Sequence, residues 1–174
     1  MLSTVVQERE PATTVAKADE RGGKYLVFQL GREEFGIRVL KVREIMGVQD
    51  ITSIPHTPPS VKGVINLRGK VIPVVDLRLK FGLPEQTYTQ RTCIVVVQVA
   101  GDAGPMLMGI VVDGVVEVLN LAAADIEDTP DFGNGAAAPC LLGMAKVKGK
   151  VKILLDIDKV LTSQDLGVLT ALVQ

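Results

Sequence analysis

The sequence has no tryptophan, only two tyrosines and four phenylalanines, one histidine and two cysteines. Each scarcity removes a class of function. Six aromatics in 174 residues leave little to stack on nucleobases, as single-strand nucleic-acid binders do. Cys93 and Cys140 stand far apart, in neither a CxxC pair nor a Cys/His cluster, so no zinc or thioredoxin pattern forms and both read as reduced, structural thiols. An excess of one charge is missing too: 19 Lys and Arg face 20 Asp and Glu, a formal net charge of -1. Neither a phosphate backbone nor an anionic membrane surface has an evident electrostatic partner. No apolar run approaches the roughly 20 residues needed to cross a bilayer as a helix. Residues 1–23 lack the sustained apolar stretch and small-residue cleavage site of a secretory signal, so a cytoplasmic protein is expected, with no direct membrane insertion.

What is present is aliphatic. Hydrophobic residues make up 47% of the chain, enough for a real core, and the Val and Ile content favours strands. Residues 1–23 are polar and aperiodic and read as a mobile leader. Strands over 25–30 and 35–37 flank Gly31-Arg32-Glu33-Glu34 as a hairpin, followed by a short helical turn over 39–43. A brief strand over 51–54 precedes Pro55-His56-Thr57-Pro58-Pro59, a loop because proline withholds ladder donors and helical dihedrals. Segments 61–67 and 71–75 around Arg68-Gly69-Lys70 form the clearest hairpin, and Asp76 caps a short helix ending near Phe81-Gly82. The tail, 163–174, has a Ser163 cap and a broad apolar face of Leu166, Leu169, Leu172 and Val173, a short amphipathic helix that packs on the rest.

The halves repeat. Gly63, Gly69, Lys70, Val71 and Asp76 recur as Gly143, Gly149, Lys150, Val151 and Asp156, and Gly36, Ile37, Val39, Val42 and Glu44 echo as Gly109, Ile110, Val112, Val115 and Glu117. Any glycine-turned hairpin before an Asp-capped helix would give a partial echo, but two ordered echoes are harder to obtain by chance. The reading is two related subdomains, 24–84 and 89–162. Each holds about five short strands, enough to close as a small barrel without exposed edges.

Catalytic constellations do not emerge. His56 sits in the proline loop with no Ser or Cys in a nucleophile context. Asp76, Asp113, Asp156 and Asp158 each lie beside a turn or helix start, where a cap explains them. No GxxxxGK[ST] or post-strand GxGxxG is present. Lys146, Lys148, Lys150 and Lys152 alternate along one hairpin without aromatic company, which reads as a solvated strand face. No metal, cofactor or enzyme activity is expected. The polar residues left over are Glu44, Asn66 and Arg68, embedded in apolar runs where a charge wants an opposite partner.

At these residues the sequence resembles the CheW family: Phe35-Gly36-Ile37, Lys41-Val42-Arg43-Glu44-Ile45, Gly63-Val64-Ile65-Asn66-Leu67-Arg68-Gly69, Pro73-Val74-Val75-Asp76-Leu77-Arg78 and Gly109-Ile110-Val111-Val112-Asp113. The match runs in order from Lys24 to Leu161. The resemblance implies a mainly β fold of two side-by-side SH3-like five-stranded barrels with short helices. It implies a non-catalytic adaptor coupling chemoreceptor tips to the regulatory domain of a CheA-type histidine kinase. Such a chain is expected to be monomeric when free and recruited to membrane-associated receptor arrays. By the same resemblance Val42, Glu44, Ile45, Ile65, Asn66 and Arg68 shape the receptor groove. Met108, Ile110, Val112, Val116 and Val118 then belong to the kinase contact. Phe132, in a loop between Pro130 and Gly133, is either an anchor for a second kinase contact or a local staple. A small-ligand-binding barrel and an oligonucleotide-binding barrel remain as alternative classes.

Overall fold

A computed structural model describes residues 21–101, 104–128 and 140–161. The expected tail helix and Phe132 lie outside the described residues, as do residues 1–20 of the expected leader. Arg21 to Gly23 belong to the fold, because Arg21 bonds Asp128 and the Leu142 carbonyl and β1 starts at Gly23.

Eleven strands are described, β1 Gly23–Leu30, β2 Glu33–Arg38, β3 Val42–Gly47, β4 Val61–Leu67, β5 Lys70–Asp76, β6 Cys93–Gly101, β7 Gly104–Val112, β8 Gly114–Leu121, β9 Ile126–Glu127, β10 Leu141–Val147 and β11 Lys150–Leu155. A 3-10 turn, Val39–Lys41, joins β2 to β3, and short helices Leu77–Lys80 and Ile157–Val160 follow β5 and β11. The expected strand over 51–54 reduces to one bridge, Thr52 to Val64, since Pro55 stops any ladder beyond it.

The strands form a six-stranded sheet, β8-β1-β2-β11-β10-β9, and a five-stranded sheet, β3-β6-β7-β5-β4. This corrects the division into subdomains 24–84 and 89–162. The β1–β2 hairpin lies in the sheet of the second half, paired parallel to β11, and the β6–β7 hairpin lies in the sheet of the first half, paired parallel to β5. The physical reason is the turn at Val39–Lys41. It leads the chain from one sheet into the other, so neither half closes a sheet alone.

The repeat is real in three dimensions. Gly36 faces Leu154 across the β2–β11 pair, and Gly109 faces Val74 across the β7–β5 pair. Arg68 and Lys148, both with positive φ (52° and 54°), open equivalent tight turns completed by Gly69 and Gly149. Asp76 and Asp156 cap the two short helices as expected, accepting from the Arg78 and Asp158 amides. The extra strand β9 is the counterpart of the Thr52 bridge, so six and five strands are variants of one plan.

Alternation along the inner strands explains the three cores. On β6, Ile94 and Val96 fill the interior of the five-stranded sheet with Ile65, Ile72, Val74 and Val111. Val95, Val97 and Val99 point the other way, into a shared core with Leu26, Phe28, Leu30, Met108, Ile110, Val112 and Leu155. Tyr25, Leu121, Ile126, Ala145 and Leu154 form the third cluster inside the six-stranded sheet. Strands buried on both faces need continuous aliphatic runs, which is why Ile94-Val95-Val96-Val97 and Met108-Gly109-Ile110-Val111-Val112 read as they do. Each fully buried aliphatic side chain contributes about 1.5–3 kcal/mol.

Candidate functional site

β3 is an edge strand whose side chains alternate between half-buried Val42, Glu44 and Met46 and exposed Arg43 and Ile45. At the far edge of the same sheet, the β4–β5 turn carries Arg68. Its two terminal nitrogens donate to Glu44 Oε1 at 2.8 and 2.6 Å. Edge residues meet only if the sheet curls on itself, so this ion pair spans the open end of a small barrel. Asn66 holds the turn: its Oδ1 accepts from the Gly69 amide at 2.8 Å, offsetting the cost of a left-handed Arg68.

A groove of about 330 Å³ opens beside the pair, floored by Leu67 and Leu107 and rimmed by Arg43, Arg68 and Lys70. Arg43 is oriented by Gln98, 3.1 Å from its Nε, and by the Leu40 carbonyl, 2.9 Å from Nη1. Three cations stand against the single carboxylate of Glu44, so the rim favours an acidic partner group over an apolar floor. With Arg68 70% exposed, the pair adds little to stability but is available to a partner.

The expected receptor-side residues divide. Glu44, Ile45, Asn66 and Arg68 reach the surface, while Val42 is half-buried against the shared core. Ile65 is 2% exposed and fills the barrel interior, which corrects its placement in the groove. The expected kinase-side residues divide as well. Met108, Ile110 and Val112 are fully buried between the sheets and offer no contact surface, a second correction. The reason is packing: this face of β7 lies against the core shared by the two sheets, so its alternate residues have no solvent side. Val116 and Val118 on the edge strand β8 are exposed.

Sequence reading missed Leu40, the most exposed large apolar side chain among the described residues, and the basic rim of Arg43 and Lys70. The alternation of Lys41-Val42-Arg43 along β3 was the available signal for Arg43; nothing in the sequence marks Leu40.

Behind the groove a polar network ties the sheets together. Arg78, largely buried, bonds Asp113 Oδ2 at 2.7 Å and the Pro84 carbonyl at 3.1 Å, and the same Asp113 oxygen accepts from the Gly31 amide at 2.7 Å. Buried Asp76 takes the Tyr88 hydroxyl on its second oxygen at 3.2 Å. Burial, with Asp76 beside it, pushes the Tyr88 phenol well above its ordinary value, so it remains a donor. These groups are accounted for by each other. No group of three or more His, Cys, Asp and Glu residues able to hold a metal occurs among the described residues, and no described helix is long and apolar enough to cross a membrane.

Two curled β-sheets sharing a core, with exposed charged and apolar side chains on edge strands, define an all-β protein of paired small barrels. The chain belongs to the CheW family, whose CheW-like domain model matches residues 24–165. It is 41% identical over 146 residues to the chemotaxis protein CheW of Klebsiella aerogenes, covering 84% of this chain and 86% of that one. It is 35% identical over 154 residues to the chemotaxis protein CheW of Rhizobium meliloti, covering 88% and 97%. Among solved structures, the scaffolding protein TtCheW from Thermoanaerobacter tengcongensis superposes with a TM-score of 0.73 at 31% identity, over 83% of this chain and 90% of that chain.

Proposed function

We propose that the chain is a chemotaxis scaffold that holds chemoreceptor tips and a CheA-type histidine kinase together without turning over a substrate. The observation that carries this reading is family membership over nearly the whole described fold, joined to a surface whose distinctive polar feature is the exposed Glu44–Arg68 pair. The receptor tip docks where Ile45 and the groove floor supply apolar contact and the Glu44–Arg68 pair fixes register. The kinase regulatory domain docks on the other sheet, at the β8 edge that exposes Val116 and Val118, and Phe132 adds a second kinase contact. Two separate faces on one rigid body convert receptor position into kinase state through avidity and geometry. The free protein is a cytoplasmic monomer recruited to membrane-associated receptor arrays.

Arg68→Glu places two carboxylates side by side at the barrel mouth while leaving the cores intact. Its circular dichroism and melting temperature stay within a few degrees of wild type, and receptor-fragment co-sedimentation falls at least about tenfold, the factor that 1.4 kcal/mol gives. Unchanged receptor affinity would remove the pair from the site. A folded wild-type protein that binds neither receptor fragments nor kinase would end the scaffold reading.

A further inference from the structure

The mouth that carries the Glu44–Arg68 pair has a second copy. The five-stranded sheet runs β3-β6-β7-β5-β4, and the six-stranded sheet runs in the matching order β8-β1-β2-β11-β10, with β9 added at its edge. Glu44 faces Val96 across the β3–β6 pair, and Glu117 faces Val27 across the β8–β1 pair, each beside a bulge. Arg68 and Lys148 open equivalent turns, closed by the cross-strand pairs Leu67–Lys70 and Val147–Lys150. The curl is shared as well: Met46 and Leu67 pack on the interior of one sheet, and Leu119 and Val147 pack on the interior of the other. Val116, Glu117 and Val118 on β8, with Lys146, Lys148 and Lys150 on the β10–β11 hairpin, therefore line a second mouth built on the plan of the first.

The two mouths differ in what is left unpaired. Arg68 is neutralised by Glu44 at 2.6 Å. Among the described residues no ion pair joins Lys148 to Glu117, and no side-chain hydrogen bond reaches either of them. The side chains of Lys146 and Lys150, 74% and 72% exposed, reach Glu127 and Glu34 only at 3.9 and 3.8 Å, and Glu34 is already held by buried Lys152. Val116, Val118 and Val151 are exposed in the same part of the sheet. On a chain whose formal net charge is -1, this end thus combines loosely held cations with apolar side chains.

We propose that the second mouth is a docking site for an acidic, partly apolar protein surface, and that Lys146, Lys148 and Lys150 select it. The identity of the partner rests on the proposed function: it is the kinase regulatory domain, whose contact with β8 extends across the mouth and presents carboxylates to the hairpin. A protein surface fits better than a nucleic acid. Glu34, Glu117 and Glu127 stand among the lysines, where a continuous phosphate backbone would meet repulsion. No described aromatic side chain is exposed to stack on a base. The exposed valines gain only from an apolar partner. Attraction between unlike charges raises the rate of encounter and excludes partners of the wrong sign, while the apolar contact supplies affinity.

The test is the association rate of the full chain with the full-length kinase as a function of salt. Lys146→Gln/Lys148→Gln/Lys150→Gln is expected to melt within a few degrees of wild type, because exposed charges add little stability. It should associate about tenfold more slowly at low salt and lose most of the salt dependence that wild type shows. Arginine at the same three positions retains the charge and should keep the rate within about twofold of wild type. A glutamine variant with the wild-type rate and salt dependence overturns the inference and leaves the scaffold reading standing. An arginine variant as slow as the glutamine variant overturns it too, since charge would then not be what the partner reads. Single-stranded DNA retention that the glutamine substitutions abolish, with kinase binding untouched, assigns the lysines to nucleic acid and also overturns it. A folded wild-type chain that does not bind the kinase sinks the scaffold reading and the inference with it. If the three-residue variant melts early, Lys148→Gln alone decides, by whether the salt dependence falls.

Discussion

At the scale of single residues, Glu34 is the most consequential ionisable group among the described residues. The Lys152 hydrogen bond, and the positive charges of Lys152 and Lys150, hold its carboxyl below the usual carboxylate value against the opposing effect of burial. A folded value lower than the unfolded one means that the pair's contribution is fully present above the unfolded glutamate value of about 4.3. It is lost as pH falls through the folded value. Acid denaturation followed by circular dichroism should show this loss, and Glu34→Gln should flatten that part of the pH profile while lowering stability at neutral pH. Lys152→Ala leaves Glu34 with only the longer pair to exposed Lys150, 3.8 Å from its Oε2, and is expected to cost about 1–3 kcal/mol in urea unfolding. Arg68, equally charged but open to solvent, costs under about 1 kcal/mol when removed. The two ion pairs look alike in sequence and differ in consequence because one is buried and the other is not.

At the scale of elements, close approach between strands makes glycine necessary at particular places. A β-carbon on Gly109 would lie 2.9 Å from Ile94 Cγ2 and 3.4 Å from Val74 Cγ2, both β-branched and packed. On Gly36 it would lie 3.0 Å from Cδ2 of Leu154, the end of a more adaptable side chain. Gly109→Ala should therefore destabilise by about 1–3 kcal/mol and Gly36→Ala by less, as measured by thermal melts. Gly63 is stricter, since its φ of +138° is one that L side chains rarely adopt and its β-carbon would drive into the Thr52 carbonyl. Gly63→Ala is expected to exceed both, on the order of 3 kcal/mol. The opposite ranking would mean that the strand spacing adjusts more readily than the packing indicates.

At the scale of the whole molecule, the sheets are joined by the shared core and by the network of Arg78, Asp113 and the Gly31 amide. Arg78→Ala leaves Asp113 half-satisfied and removes the side-chain bond to the Pro84 carbonyl, while the Leu83 amide keeps its bond to the carbonyl of residue 78. The expected loss is about 1–3 kcal/mol, with hydrogen exchange accelerating at Gly31 and Asp113 in step, since both amides report on the same junction. Exchange that accelerates at only one of them would show that the network does not couple the sheets. The proposed scaffold, working by position, needs this stiffness between its proposed docking faces on β3 and β8.

Much of this was legible in the chain. The hairpin at Arg68-Gly69, the caps at Asp76 and Asp156, the β class and the repeat follow from local chemistry: glycine at positive φ, side-chain acceptors at helix starts, and strand-length aliphatic runs. That Glu44 and Arg68 pair with each other was implied by the family resemblance; local chemistry said only that each charge wants an opposite partner. The exchange of hairpins between halves was not legible, because strand pairing is a non-local property and equivalent strands carry nearly equivalent patterns. Nor was the burial of Met108, Ile110 and Val112. Alternation along a strand tells two faces apart, but only the tertiary packing shows that β7 has a core against each face. The sequence by itself determined the elements and their turns, through interactions a few residues long; the tertiary structure decided which elements are neighbours, and with that which side chains are left at the surface to meet a partner.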